Sequence, residues 1–286
     1  MSALPALGRA AEGHAPAAEH GLTLHAVEIT RVLGLPITNS MVVTWVVAAA
    51  LIVFAQAATR KMNLVPTGAQ NFLEWLVEAL YEFLEGIVGT PLVKKTFWYF
   101  ATVFIFILFL NWFGLIPGVG SVGWGAATEH GFVVSKSLLR GADADLNMTL
   151  GMALTFFACW LVWALQVNGV KGFLRHIFGL QGDMTGLLRV VMIGVFFLVG
   201  LLEVVSILFR PVSLSFRLFG NIFAGENMLE TMGRLVPGVL GWLVPVPFYF
   251  LELIVGLVQA LVFMLLTAVF TLLICQHDER PEEAHH

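Results

Sequence analysis

The chain has 286 residues, 58% of them hydrophobic and only 12% charged, with a formal net charge of −4 at pH 7 and a mean hydropathy of +0.88. Soluble domains run at about 45–50% apolar and about 25% charged, and a fold this apolar cannot build a polar shell, so a soluble enzyme and a disordered scaffold are excluded. The weakly acidic balance leaves no basic footprint for nucleic acid, and the composition points to an all-α integral membrane protein.

Residues 1–38 form an N-terminal segment without the apolar run of a signal peptide. It is rich in Ala, Gly and His; His14, His20 and His25 are read as part of a loose tail rather than a metal site. A membrane crossing needs about 20 apolar residues, and the first uncharged run covers 41–58. Asn71–Val88 follows as an amphipathic helix. Glu74, Glu78, Glu82 and Glu85 make its polar stripe, either solvated or partner-facing, opposite Phe72, Leu76, Leu80, Phe83, Leu84 and Ile87. Further spans cover 97–120, ending at Leu115-Ile-Pro-Gly118, and 149–170. Two longer runs, 187–236 and 239–275, are roughly 50 and 37 residues, or about 75 and 55 Å as helix. Both exceed a 30 Å bilayer core and must tilt or break, with Pro211 as the expected break and Pro237-Gly238 as the end of the first. The expected fold class is thus three transmembrane helices, one amphipathic surface helix and a C-terminal pair of long tilted membrane helices. Cys159 and Cys275 read as small buried hydrophobes.

Arg60 and Lys61, Lys94 and Lys95, and Lys171 and Arg175 fall on one side if the spans alternate, and that side is expected to be cytoplasmic. The N-terminus then lies outside and the acidic tail, 278–286, inside. The 121–148 loop is outside, where Glu129, Asp143 and Asp145 offset Lys136 and Arg140.

The 187–236 run carries Glu203, Arg210, Arg217, Glu226, Glu230 and Arg234. A central Arg costs about 2.5–3.5 kcal/mol on insertion scales. Arg210 and Arg234 are either functional or snorkelling near a kink or end; Arg217, flanked by Phe216, Leu218 and Phe219, reads as functional. Steps of seven residues put Glu203, Arg210 and Arg217 on one face, with Ser213 and Asn221 one turn either side of Arg217. Glu226 points the opposite way. Glu252 and Gln259 share a face of the last helix, and Glu226 and Glu252 come to similar depth. Two acidic half-paths divided by a fixed cation suit ion translocation. A cation-coupled transporter or a proton-conducting respiratory subunit remains the alternative. Intramembrane haem is disfavoured because all eight His lie outside the expected spans, and no hydrolase, zincin or phosphate-loop motif is present.

The string Pro211-Val-Ser-Leu-Ser-Phe-Arg217-Leu-Phe-Gly-Asn221-Ile-Phe-Ala-Gly-Glu226 resembles the signature of subunit a of F-type ATP synthases. Asn111-Trp-Phe-Gly-Leu-Ile-Pro-Gly118, Ala144-Asp145-Leu-Asn147-Met-Thr149 and Ile37-Thr-Asn39-Ser resemble other motifs of that family. The resemblance implies a non-catalytic stator subunit of the Fo proton channel, without a cofactor, in a bacterial inner membrane. Its partners would be the ring of c subunits, the peripheral-stalk b subunits and lipid. Arg217 would face the ring, Glu226 and Glu252 would line the outer half-channel and Glu203 the inner one. Gln259 would sit beside Arg217, with Asn221 and Ser213 as polar neighbours. Many bacterial members carry His at the position of Glu252. Two close carboxylates disfavour double ionisation, so a pair sharing protons is expected here.

Overall fold

The computed structural model describes residues 27–32, 35–116, 118–119, 122–128, 131–178, 187–235 and 243–275. His14, His20, His25, the Pro237-Gly238 stop and the 278–286 tail lie outside the described residues, as does the side chain of Arg234. Two antiparallel hairpins, β1 (Glu28–Val32) with β2 (Leu35–Thr38) and β3 (Gly123–Thr128) with β4 (Gly131–Ser137), add to the expected all-α pattern. Each has two strands only, and both precede helices that enter the apolar layer. Six helices make up the rest: α1 (Asn39–Thr59), α2 (Ala69–Val88), α3 (Thr90–Gly114), α4 (Leu146–Phe178), α5 (Leu187–Leu235) and α6 (Val246–Cys275). Five of them, α2 excepted, are long and apolar enough to cross a membrane.

Local chemistry sets the helix ends. Thr38 caps α1 through its hydroxyl, which accepts from the Met41 amide at 3.4 Å. Gly89, at φ 78°, closes α2 and opens α3: its amide donates to the Glu85 carbonyl at 3.0 Å and its carbonyl accepts from Val93 at 3.1 Å. Pro91 in the first turn costs no helical hydrogen bond. The start of α3 therefore moves forward to Thr90, taking in Lys94 and Lys95. Its end falls at Gly114, not at residue 120, because the residue before Pro117 is biased against helical geometry. Asp145 opens α4 by accepting the Asn147 amide on its carboxylate at 3.0 Å. Gly169, at φ 65° and ψ 168°, divides α4, and His176 falls in the segment beyond it. Pro245 and Pro247 fix the start of α6, seven residues later than 239, since proline is tolerated in the first turn but not the interior.

The expected break at Pro211 does not occur: α5 stays helical through it, over 49 residues. The backbone group a proline frees is re-satisfied by neighbouring structure in membrane helices, and Pro211 itself is buried.

The main core joins α2, α3, α4, α5 and α6, around Leu84, Phe100, Phe156, Trp160, Leu218 and Phe263. Side-chain donors tie α6 to its neighbours. Asn111 Nδ2 donates to the Gly256 carbonyl at 3.0 Å, and Trp112 Nε1 to Leu253 at 3.2 Å. From α4, Trp160 Nε1 donates to Phe270 at 3.1 Å and Asn168 Nδ2 to Ile274 at 2.9 Å. Between helices in lipid such bonds replace part of the missing hydrophobic drive. On α2 the expected apolar face divides: Leu80 and Leu84 are buried, but Phe72 and Phe83 are exposed beside Trp75. Cys159 and Cys275 are half-buried, not buried.

Candidate functional site

The side chains of α5 sort by face. Ile207, Leu214, Ser215, Leu218 and Ile222 are buried at spacings of one, three, four and seven, a single helical stripe against the bundle. The other side, including Val205, Phe209, Val212, Phe216 and Met228, is exposed over most of its length. Ser213, Arg217 and Asn221 lie on that exposed side. Among the described residues Arg217 has no hydrogen bond or ion pair.

Asn221 turns one atom back into the bundle, its Nδ2 donating to Gln259 Oε1 at 2.7 Å. Gln259 is buried on α6. The structure thus brings Gln259 to the Arg217 helix through Asn221, one turn on, with no Gln259–Arg217 hydrogen bond among the described residues. Seven residues before Arg217, Arg210 leaves the exposed face. Its guanidinium lies 4.6 Å from the Phe270 ring centroid and 5.7 Å from that of Trp160, a packed cation–π position rather than a snorkelling one. Glu203, half-buried, acts electrostatically on Arg210 and is more than 4 Å from it.

Glu226 and Glu252 come together on the opposite side of α5 from Arg217. They line one small pocket with Asn111, Gly114, Gly141 and Asp143. Glycine makes the approach possible. A Cβ at Gly225 would overlap the Glu252 carboxyl, and one at Gly141 would overlap Glu226 Oε1. The Gly141 amide hydrogen-bonds Glu226, and Arg140 attracts it. Glu226 Oε2, Glu252 Oε1 and Asn111 Oδ1 are buried with no hydrogen-bond partner among the described residues.

Arg140, Asp143 and Asp145 are all buried, at 5%, 1% and 4% exposure. Three of the charges expected to offset one another in the 121–148 loop are thus packed into the fold. The segment from Arg140 to Asp145 folds inward beneath the helix ends, with a 3-10 turn over Ala142–Ala144. Asp145 serves architecture: it accepts from Ser40 Oγ at 2.6 Å as well as from Asn147, joining α1 to α4. Asn39 accepts from the Val27 amide at 3.2 Å beside it. Thr149 Oγ1 and Ser215 Oγ, 3.3 Å apart, link α4 to α5. Asp143 has no such bonds. Burial first, and then the charge of Glu226, push its carboxyl from an ordinary 3.8 up to about 8. The available signal for a buried turn was the alternation of charge with Gly and Ala in Arg140-Gly-Ala-Asp143-Ala-Asp145, small residues that permit close backbone approach.

Residues 41–271 match the family described as ATP synthase A chain. The chain is 32% identical over 250 residues to an ATP synthase subunit a of Moorella thermoacetica, covering 85% of this chain and 94% of that protein. It is 33% identical over 232 residues to an ATP synthase subunit a of Gloeobacter violaceus, covering 81% of each. It is also 30% identical over 259 residues to the ATP synthase subunit a, sodium ion specific, of Propionigenium modestum, covering 89% of this chain and 80% of that protein.

Proposed function

The chain belongs to the ATP synthase subunit a family, and from that membership we propose that two offset half-channels in it pass protons to and from a rotating ring of c subunits, with Arg217 dividing them. The chain is a multi-pass membrane stator subunit of the Fo channel; the transporter and respiratory-subunit readings are not favoured. Its role in the complex is non-catalytic. The observation that carries the finer reading is the division of one helix: α5 turns Arg217 to an exposed face and Glu226 into a pocket shared with Glu252.

In this reading Glu226 and Glu252 carry protons on the outer side and Glu203 on the inner side. Asn221, held by Gln259, and Ser213 are the polar neighbours of Arg217 on the ring-facing surface. The ring carboxylate that has lost its proton meets Arg217. At about 4 Å and an effective dielectric near 20 the attraction is roughly 4 kcal/mol, enough to hold the charged ring site and bar a proton from crossing directly. Arginine suits this because it stays ionised and offers a planar fork of donors; lysine is a point charge that neutralises when buried. Each proton falling through 100 mV releases about 2.3 kcal/mol to bias rotation. The basic pairs at 60–61, 94–95 and at Lys171 and Arg175 support an outside N-terminus and a cytoplasmic C-terminus in a bacterial inner membrane. Peripheral-stalk b subunits and lipid are the remaining partners.

ATP-driven proton pumping in inverted vesicles carrying Arg217→Ala, with ATP hydrolysis followed in parallel, tests the assignment. Pumping is expected to vanish while hydrolysis continues. Pumping at the normal rate, with the variant chain present in the membrane, would make Arg217 a structural residue and remove the reading.

A further inference from the structure

The turn between α3 and α4 holds a carboxyl that the two-glutamate path leaves unused. Asp143 is 1% exposed. Neither of its oxygens has a hydrogen-bond partner among the described residues. It lines the same pocket as Glu226 and Glu252, each of which also has a buried oxygen without a hydrogen-bond partner among the described residues. A buried acidic oxygen is stable where it is hydrogen-bonded or carries a proton. Three carboxyls against one small cavity therefore cannot all be ionised.

Asp145, two residues on, has the opposite character: its carboxylate is saturated by Ser40 and the Asn147 amide. The two aspartates are equally buried, but only one is fixed in place. The chain also approaches Glu226 closely at this turn: a Cβ at 141 would displace the Glu226 carboxyl. We propose that Asp143 is a third proton-carrying carboxyl of the outer path, taking protons from the outer water and passing them to Glu226. The proposal rests on the half-channel reading above.

The step is a proton transfer alone. The Asp143 carboxyl O–H breaks and a Glu226 carboxyl O–H forms; Asp143 is left ionised until the outer water returns a proton, and no net charge is created in the pocket. The charged and titratable groups around it are Glu226 from α5, with Glu230 one turn on acting on Glu226, Glu252 from α6, and Arg140 and Asp145 on its own segment. From α3 the neighbour is the neutral Asn111. Arg140 attracts Glu226 and offsets part of the negative charge of the pocket. With its carboxyl near 8, Asp143 carries its proton at neutral pH and can lose it readily.

Proton conduction under an imposed potential, in vesicles stripped of the catalytic sector, provides the test with the outer-side pH varied. Asp143→Asn is expected to conduct at least about tenfold more slowly at outer pH 7, and Asp143→Glu to restore most of the rate. The wild-type rate should fall as outer pH passes through about 8, and that inflection should be missing from what Asp143→Asn retains. A packing role would not move the inflection. Conduction in Asp143→Asn at the wild-type rate would overturn the inference, as would an unchanged inflection or equal loss in Asp143→Asn and Asp143→Glu. Glu226→Gln run beside them separates the levels: normal conduction there defeats the half-channel reading itself, whereas its loss with a normal Asp143→Asn defeats only the role of Asp143.

Discussion

The two sides of α5 are built to different rules. Toward the bundle, near Glu226, the packing is tight, with the Glu226 and Glu252 carboxyls lying where a Cβ at 141 or 225 would stand, and acidic oxygens are buried without partners among the described residues. Toward the outside, near Arg217, the helix exposes Phe209, Val212, Phe216 and a guanidinium without a hydrogen bond or ion pair among the described residues. The first side is a complete pocket. The second is an exposed face, and a charge left at membrane depth needs a counter-charge from elsewhere. A single helix thus carries one site that the fold finishes and one exposed charge that it does not; in the proposed function the ring supplies what is missing there.

That contrast yields graded predictions. Glu252→Gln removes a proton carrier from the finished side while keeping its shape, and pumping should fall by about tenfold or more. Pumping at full rate would end the case for a shared carboxylate pair. Gly225→Ala tests the same pocket by volume: the added methyl must displace the Glu252 carboxyl. Overpacking of this sort costs about 1–3 kcal/mol; the carboxyl can swing aside, so a membrane-inserted chain with severalfold slower pumping is expected. Wild-type pumping in the alanine variant would show that the close approach is dispensable. On the unfinished side, Asn221→Ala breaks the 2.7 Å bond to Gln259. It should cost about 1 kcal/mol in the placement of that surface, read as a modest drop in pumping with ATP hydrolysis unchanged. A tenfold loss would mean that Asn221 does more than hold Gln259.

The helices were legible because a bilayer demands long apolar runs, and nothing in a soluble core imitates them. Ends were legible where a capping group is local, as at Thr38 or Gly89. They were misplaced where a proline sets them, as before Pro117 and at Pro245 and Pro247. Pro211 misled in the other direction, since sequence rules price the lost hydrogen bond but not the neighbours that compensate for it. The placement of Arg217, Asn221 and Ser213 on one face followed from helical periodicity alone. Arg210 did not obey it, because Trp160 and Phe270, distant in sequence, offer their ring faces to the guanidinium. Asp143 was read only as an offsetting charge for a related reason. A short charged stretch between spans looks like a loop in water, and its burial depends on helix ends that meet only in three dimensions. The same long-range packing separates it from Asp145: one aspartate finds Ser40 from α1 and becomes a brace, while the other finds a second carboxyl.

The central claim is that Arg217 divides two half-channels, and the most direct test is passive proton conduction in vesicles stripped of the catalytic sector. Comparison is between wild type, Arg217→Ala and membranes lacking the chain. If the fixed charge is the divider, Arg217→Ala should conduct protons above the background of chain-free membranes even though its ATP-driven pumping is lost. Vesicles as proton-tight as those lacking the chain, with the variant assembled in the membrane, would contradict the account.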